Sequence, residues 1–469
     1  MKNKSIAKNF AILAILFGSL LTFFIPPFQS ADEDSHFKKA YVISRGDFFP
    51  TVKDGVEGFY LPNQMVSYIS EKLEYIGNLD QKYSYKELLY EERDHIDYAN
   101  SSFYNFSTVS TIPLAHLVPA IGMDVGKAVG YLFGMREFST TYLLYFGRMA
   151  SLIFYVVVIA FAIKLTPKLK RTFAMIGLLP MSLSLGATIS YDAILISLSL
   201  LVTALILRLI CLENEKFDMR YMAVFVIIGV IFLNLKTVYS FVMLPLSYLM
   251  FKNKEDFKEN FKKICIMAVL IVIGTVILKL PTIGLDVAKS ADNSSSMQIN
   301  FILNNPIYFI KVLFKEIFGN RLYYLSGLFG LLGLIDTYLL VPVYFATLMV
   351  FLIVGFIEVN SDEIYLPVLY KSLNIVCFII GVIGVFTAFY ILWTVMIPGY
   401  GIGANAISGV QGRYFIPLLP LIFMIFNVKN KKIRHFCTNS GVKIIDYSLL
   451  FSTLLLVITF IIVMLRFWI

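Results

Sequence analysis

Charge is what this sequence has least of. Only 15% of its 469 residues are Asp, Glu, Lys or Arg, against about 25% in a soluble domain that must wet its outside. The shortage excludes a disordered chain, which is polar and strongly charged, and a string of ordinary soluble domains. Cysteine is scarce as well, at four. Cys211, Cys265 and Cys437 fall at the ends of apolar runs and Cys377 inside one. No disulfide framework is implied, and the four read as small packing residues. No Walker-type or GxGxxG loop is present, so no cytosolic nucleotide site is implied.

What the sequence does have is apolar surface. Hydrophobic residues make up 58%, Phe alone numbers 42, and the mean hydropathy is +0.76. Apolar runs long enough to cross a bilayer recur throughout. The expected fold is all-α: a polytopic integral membrane protein, one transmembrane domain over residues 1–469. About eleven spans are expected, at 10–25, 141–164, 172–187, 193–211, 221–234, 238–251, 264–280, 338–357, 372–395, 414–427 and 445–467. Several fall short of the roughly 20 residues a helix needs, which suggests local thinning or misplaced ends.

Lysine and arginine set the orientation. They concentrate at 2–8, 164–171, 208–220, 252–263 and 429–443, with Lys371. The short connections of opposite sidedness hold little beyond Lys236 and Arg413. The N-terminus is therefore expected in the cytoplasm and the C-terminus outside, in the plasma membrane. The net charge of +9 then reflects topology and anionic lipid rather than nucleic acid. Lys2, Lys4 and Lys8 before an apolar run also fit a cleavable signal peptide. Gln29 at the small-residue position and Pro26-Pro27 favour a retained first span.

Two exterior segments are long, 29–140 and 281–337. In the first, Asp32 to Val42 reads as a helix opened by carboxylates. Pro62 to Ile76 puts Met65, Val66, Ile69, Leu73 and Ile76 on one face, a helix lying on the membrane surface. Thr111 to Met123, broken by Pro113, His116 and Pro119, reads as interfacial or re-entrant, with His116 a packing residue. His95 among Glu91, Glu92, Asp94 and Asp97 reads as a solvated acidic turn. In the second segment Asn305-Pro306 starts an amphipathic surface helix with Ile307, Ile310, Leu313, Phe314 and Ile317 as its greasy face. Tyr323 to Ile335 is expected to dip into the bilayer, and Asp286 to Ser296 is polar.

Ionisable groups at membrane depth cost several kcal/mol unless paired, so they are functional candidates. On this topology they gather on the outer side: Asp32, Glu33, Asp34 and His36, then Arg148, Asp192, Lys236, Asp336 and Arg413. Carboxylates and cations beside surface helices suit chemistry on a lipid-linked head group. A carboxylate can take a proton from an attacking hydroxyl, and Arg413 and Lys236 can hold a departing phosphate. Structural alternatives stand beside these readings. Arg148 pairs with a first-loop carboxylate, Asp192 ends a helix, Lys236 anchors a turn, and Arg413 snorkels.

The stretch Pro27 to His36 (PFQSADEDSH), Ser190-Tyr191-Asp192, Gly333-Leu334-Ile335-Asp336-Thr337 and Gln411-Gly412-Arg413-Tyr414-Phe415 resemble, in order, the motifs of a family of bacterial multispan proteins of unassigned activity. The resemblance spans essentially the whole chain. That family is similar in layout to the GT-C superfamily of membrane glycosyltransferases, which use polyprenyl-phosphate sugars and place an essential acid in the first outside loop. The resemblance implies Asp32, with Glu33 as alternate, for that acid. His36 would orient it or touch sugar, and Arg413 would contact phosphate. Asp34, Arg148, Asp192, Lys236, Gln411 and Tyr414 complete the candidate substrate site. The sequence departs from the family in having Ala31 where Pro is usual and a third carboxylate, Asp34.

The expected function is an inverting glycosyltransferase that moves sugar from a polyprenyl-phosphate donor to a cell-wall or surface glycan. No cofactor is required, although the acidic cluster leaves a divalent metal open. The competing readings are a polysaccharide polymerase or ligase and a lipid or solute flippase.

Overall fold

A computed structural model describes residues 3–86, 96–253, 255–282 and 294–469. The acidic turn around His95, apart from Asp97, and the 286–296 stretch up to residue 293 lie outside the described residues. The structure is 71% helical. Among the described residues seven helices are long and apolar enough to cross a membrane: Ser5–Phe24, Thr140–Leu165, Tyr191–Cys211, Phe257–Lys279, Val341–Val359, Val368–Met396 and Lys431–Phe467. The protein is a multi-pass helical membrane protein.

Local chemistry places the ends. Ser139 Oγ accepts the Tyr142 N–H and Ser190 Oγ accepts the Asp192 N–H, each satisfying an orphan donor of a first turn. The Thr140–Leu165 helix stops where Thr166 precedes Pro167, a position pushed out of helical backbone.

Of the remaining four expected spans, 221–234 is a continuous helix, Met219–Leu235; the other three depart from simple helices, and proline explains most of the departure. The 172–187 run is two short buried helices, Lys170–Gly177 and Pro180–Gly186. Pro180 has no N–H, and Leu179 before it is extended at φ −57°, ψ 136°. The 238–251 run is a 3₁₀ helix, Thr237–Tyr248, with Pro245 inside, followed by Leu249–Lys252. The 414–427 run is Gly412–Leu418, again 3₁₀ with Pro417 inside, then Leu419–Phe423 and Met424–Phe426. A 3₁₀ helix rises about 2.0 Å per residue against about 1.5 Å. The 12-residue Thr237–Tyr248 segment is thus roughly 24 Å long. The stretched backbone makes each such run longer than an α-helix of the same residues.

The long loops hold more than the helices expected of them. The first folds into a cap containing the three-stranded antiparallel sheet Thr51–Lys53, Val56–Pro62 and Ser101–Tyr104. Its register pairs Thr51 with Gly58 and Phe59 with Tyr104. Asp54-Gly55 turns the first hairpin with both residues at positive φ, 53° and 76°, as two-residue hairpins favour. A second small pair joins Leu331–Leu332 to Thr337–Tyr338; these short strands lie outside the spanning helices, and the fold is consistent with the all-α polytopic class expected. Helix Asn63–Leu73 buries Met65 and Ile69 in a core with Phe28, Phe37, Tyr41 and Leu61. It packs on protein, whereas Ile76 stays exposed beyond its end. The 111–123 stretch is a 3₁₀ turn, Pro113–His116, leading into helix Leu117–Leu132, which packs along Thr140–Leu165 through Gly122 and Gly126 against Phe146.

In the second loop, helix Pro306–Gly319 splits its apolar residues. Phe309, Val312 and Leu313 pack inward, while Ile307, Ile310 and Phe314 are exposed. Asn305 does not cap it: its Nδ2 donates to the Phe301 carbonyl. The expected dip is helix Arg321–Phe329 and the small hairpin that follows.

Candidate functional site

The first spanning helix ends at Pro26-Pro27, and its last carbonyls lose their helical donors. Arg148 supplies replacements. It is fully buried and donates to Thr22 O at 2.8 Å, Ile25 O at 2.7 Å and Pro26 O at 3.1 Å. Its other two N–H groups reach Glu33, Nε to Oε1 at 2.8 Å and Nη2 to Oε2 at 2.5 Å. Glu33 Oε1 also accepts the Ile189 N–H at 3.1 Å. All five guanidinium donors are used and both side chains are 0% exposed. Glu33 and Arg148 therefore form a closed structural pair; neither presents a free group to a substrate. Asp34 is likewise outside the cluster, paired with Lys38 at 3.0 Å along its own helix. Asp336 is bound by Arg466 at 2.7 Å and lies with the C-terminal helix.

Asp32 behaves differently. It sits at the N-cap of helix Glu33–Ile43 in left-handed backbone, φ 63°, a conformation Asp tolerates better than most residues. An Asp there ordinarily caps the helix. Here its side chain makes no capping bond and instead accepts from Arg413 Nη2 at 2.5 Å, across 381 residues of sequence. Arg413 is 2% exposed at its side chain and the Asp32 carboxylate 57%. The acid faces solvent and the cation lies behind it.

Asp192 and Lys236 complete the cluster. Lys236 stands where helix Met219–Leu235 gives way to the 3₁₀ segment, its backbone extended. It donates to Asp192 Oδ1 at 2.9 Å, and its ammonium lies 3.9 Å from the Tyr414 ring centroid and 5.2 Å from that of Tyr191. Arg413 Nε stands 3.6 Å from Asp192 Oδ2, too far for a good hydrogen bond. Arg413 Nε and Nη1 are buried without a hydrogen-bond partner among the described residues. Leaving such donors unmade costs about 1–3 kcal/mol each, so the guanidinium retains capacity for an anion.

The Gln411-Gly412-Arg413-Tyr414-Phe415 segment is fixed by close backbone contact. A Cβ on Gly412 would fall 2.0 Å from the Tyr324 carbonyl oxygen and 2.5 Å from Leu328 N, so only glycine lets the Arg321–Phe329 helix lie this near. Gln411 starts the 3₁₀ turn and lines, with Ala31, Tyr323 and Arg413, a cavity of about 10 Å³, room for about one water or one ligand oxygen. Tyr414 stacks on Phe389 at 5.2 Å and lines, with Lys236, a larger groove of about 460 Å³. The rest of its lining is mostly apolar, Val238, Val385 and Phe389 among it. Leu392 and Trp393 also line it and are more than half exposed. The cluster thus has a wet side at Asp32 and a greasy side at Lys236.

Two participants, His116 and Tyr191, were missed in the sequence. The candidate His36 faces the cluster, its ring 4.6 Å from Tyr191 in an edge contact, and its Nδ1 lies 2.7 Å from His116 Nε2. Burial lowers the His36 pKa to about 4, with Asp32 and Asp192 pulling the other way. Burial and the neighbouring His36 lower that of His116 as well. Both rings are therefore neutral at pH 7, and His116 is a partner of His36 rather than apolar packing. No local signal joins residues 80 positions apart; Tyr191 sat inside the Ser190-Tyr191-Asp192 motif. Next to this pair Lys39 is buried, donating to Val109 O at 2.8 Å above the Phe59 ring. Burial brings its pKa down to about 7, against the pull of Glu57. Among the described residues no group of three or more His, Cys, Asp or Glu stands close enough to hold a metal ion.

Fold and site together define a polytopic helical membrane protein with a charge-balanced cluster roofed by a folded cap and open to an apolar groove. The chain belongs to the family described as Predicted membrane protein (DUF2142), whose pattern matches residues 15–422. No curated protein and no solved structure matches it.

Proposed function

We propose that the protein is an inverting membrane glycosyltransferase of GT-C type, using a polyprenyl-phosphate sugar and a glycan acceptor at the outer face of the plasma membrane. The observation that carries this reading is the Asp32–Arg413 contact, a solvent-facing carboxylate bound to a buried guanidinium that still has free donors. The donor's isoprenoid tail occupies the Lys236–Tyr414 groove, and its phosphate meets Lys236 and the open Arg413 N–H groups. The acceptor hydroxyl approaches from the wet side. Its oxygen bonds to the anomeric carbon as the bond from that carbon to the phosphate oxygen breaks, and its proton passes to Asp32. Polyprenyl phosphate leaves with the electron pair, its added charge stabilised by Arg413 and Lys236.

This reading takes the chain to cross about eleven times, the stretched 3₁₀ segments counting as spans, with the N-terminus inside and the C-terminus outside. A flippase would place its polar groups near the midplane, whereas here Asp32, Asp192, Lys236 and Arg413 meet beneath the cap. The test incubates purified protein with a panel of polyprenyl-phosphate sugars and compares wild type with Asp32→Asn. Sugar loss from one donor that disappears in the variant supports transfer. No donor turnover in either, with lipid movement in a flip assay, overturns it.

A further inference from the structure

A second groove, of about 400 Å³, lies on the neighbouring face of the helix that walls the first. Its lining includes Tyr324, Leu348, Phe378, Phe386 and Phe415, and the one charged residue in it is Arg321. Tyr414 and Phe415 are consecutive yet serve different grooves. Tyr414 stacks on Phe389 in the lining of the first, and Phe415 stacks on Phe386 at 5.6 Å in the second. The turn that carries Arg413 is thus the partition between two greasy channels.

Arg321 is exposed and donates to Phe318 O at 2.8 Å. Among the described residues it forms no ion pair. An apolar channel whose lining holds one cation without an ion pair matches a long hydrocarbon with a single anionic head. The helix that carries Arg321 packs on the turn that carries Arg413, Gly327 against Gly412, and Tyr323 of that helix lines the small cavity beside Arg413.

We infer that this second groove binds the acceptor, and that the acceptor is a glycan carried on a polyisoprenoid phosphate, so that both substrates are lipid-linked. The inference rests on the glycosyltransferase reading above and narrows its substrate class. Two separate channels let donor and acceptor tails remain in the bilayer while their heads meet over one carboxylate.

The test uses the full chain in phosphatidylcholine nanodiscs with two tail-diazirine probes, a polyprenyl phosphate and an uncharged diacylglycerol. The polyprenyl phosphate is expected to label peptides of both grooves, at Val238 or Trp393 and at Leu348 or Phe378. Arg321→Gln, an exposed change that leaves the core intact, should lower labelling of the second groove about tenfold, the scale of one charge-assisted contact. Labelling of the first groove should not change. Equal labelling of the second groove by diacylglycerol, or labelling indifferent to Arg321, marks ordinary annular lipid and overturns the inference. Donor turnover is followed in parallel. If Asp32-dependent sugar loss persists while second-groove labelling fails, the transferase stands and the lipid-linked acceptor falls; if sugar loss is absent, both fall.

Discussion

Asp32 and Arg413 meet at 2.5 Å although 381 residues separate them, joining the first exterior loop to the Gly412–Leu418 turn. The contact holds a solvent-facing carboxylate against a buried guanidinium; the proposed transfer uses the first as base and the second as phosphate ligand. Asp32→Asn keeps size and one hydrogen bond to Arg413 but cannot take a proton. Sugar transfer should fall by about 10²–10⁴ in kcat while the KM for donor changes little. Radiolabelled transfer from a polyprenyl-phosphate sugar measures both.

Arg413 and Lys236 are expected to separate from Asp32 in their kinetics. Arg413→Lys removes the planar fork that offers donors to Asp32 and phosphate at once. Lys236→Gln leaves Asp192 buried with less cation to balance it. Each should raise the KM for donor by about tenfold or more, the scale of one lost charge-assisted bond, and lower kcat as well because the leaving phosphate gains charge. A loss confined to thermal stability, with kinetics intact, would remove both residues from the site.

Glu33 and Arg148 should behave as structure. Breaking a buried ion pair from one side costs about 3–5 kcal/mol, so Glu33→Gln and Arg148→Met should each sharply lower the thermal midpoint in detergent. The double variant should recover part of that loss, because no lone buried charge remains. Non-additivity in unfolding, measured as a double-mutant cycle, is the readout.

The charged half of the site was legible because the chain is so apolar. Asp32, Asp192, Lys236 and Arg413 stand out against long hydrophobic runs, and pairing was the only inexpensive way to keep them there. The structural alternative weighed for Arg148, pairing with a first-loop carboxylate, is what the geometry shows. The His36–His116 contact was not legible, since both histidines lie in loop segments whose fold depends on long-range packing. The sheet was missed although Asp54-Gly55 is a hairpin signal, because its strands are only 3 to 7 residues long and carry no clean alternation. Asp336 was misplaced because its partner, Arg466, sits in the last turn of the final helix, which reads in sequence as a mere span end.

The two neutral histidines give stability an acid limb. An unfolded histidine titrates near pH 6.5, whereas His36 in the fold titrates at about 4. Between those values the unfolded chain binds more protons, so stability is fully present above about pH 6.5 and falls as pH drops toward about 4. The loss attributable to His36 is about 3 kcal/mol. Thermal midpoints from pH 7.5 to 4.5 should show it, and His36→Gln should flatten the curve. An unchanged slope in the variant would assign the acid limb to other groups.

Gly412 tests whether the site depends on backbone approach as well as on charge. An added methyl would lie 2.0 Å from the Tyr324 carbonyl oxygen and 2.5 Å from Leu328 N; both are backbone atoms of one helix and cannot rotate away. Gly412→Ala must therefore push the 3₁₀ turn off the Arg321–Phe329 helix and carry Arg413 with it. A displacement near 1 Å at a positioning group can cost about 10²-fold in rate, so kcat should fall on that scale. The Tyr324 side needs no charge to exert this effect, and raising the donor concentration should not restore the rate. Recovery at high donor would mean that the turn only tunes affinity, and that Asp32 and Arg413 keep their geometry without the close Gly412 contact.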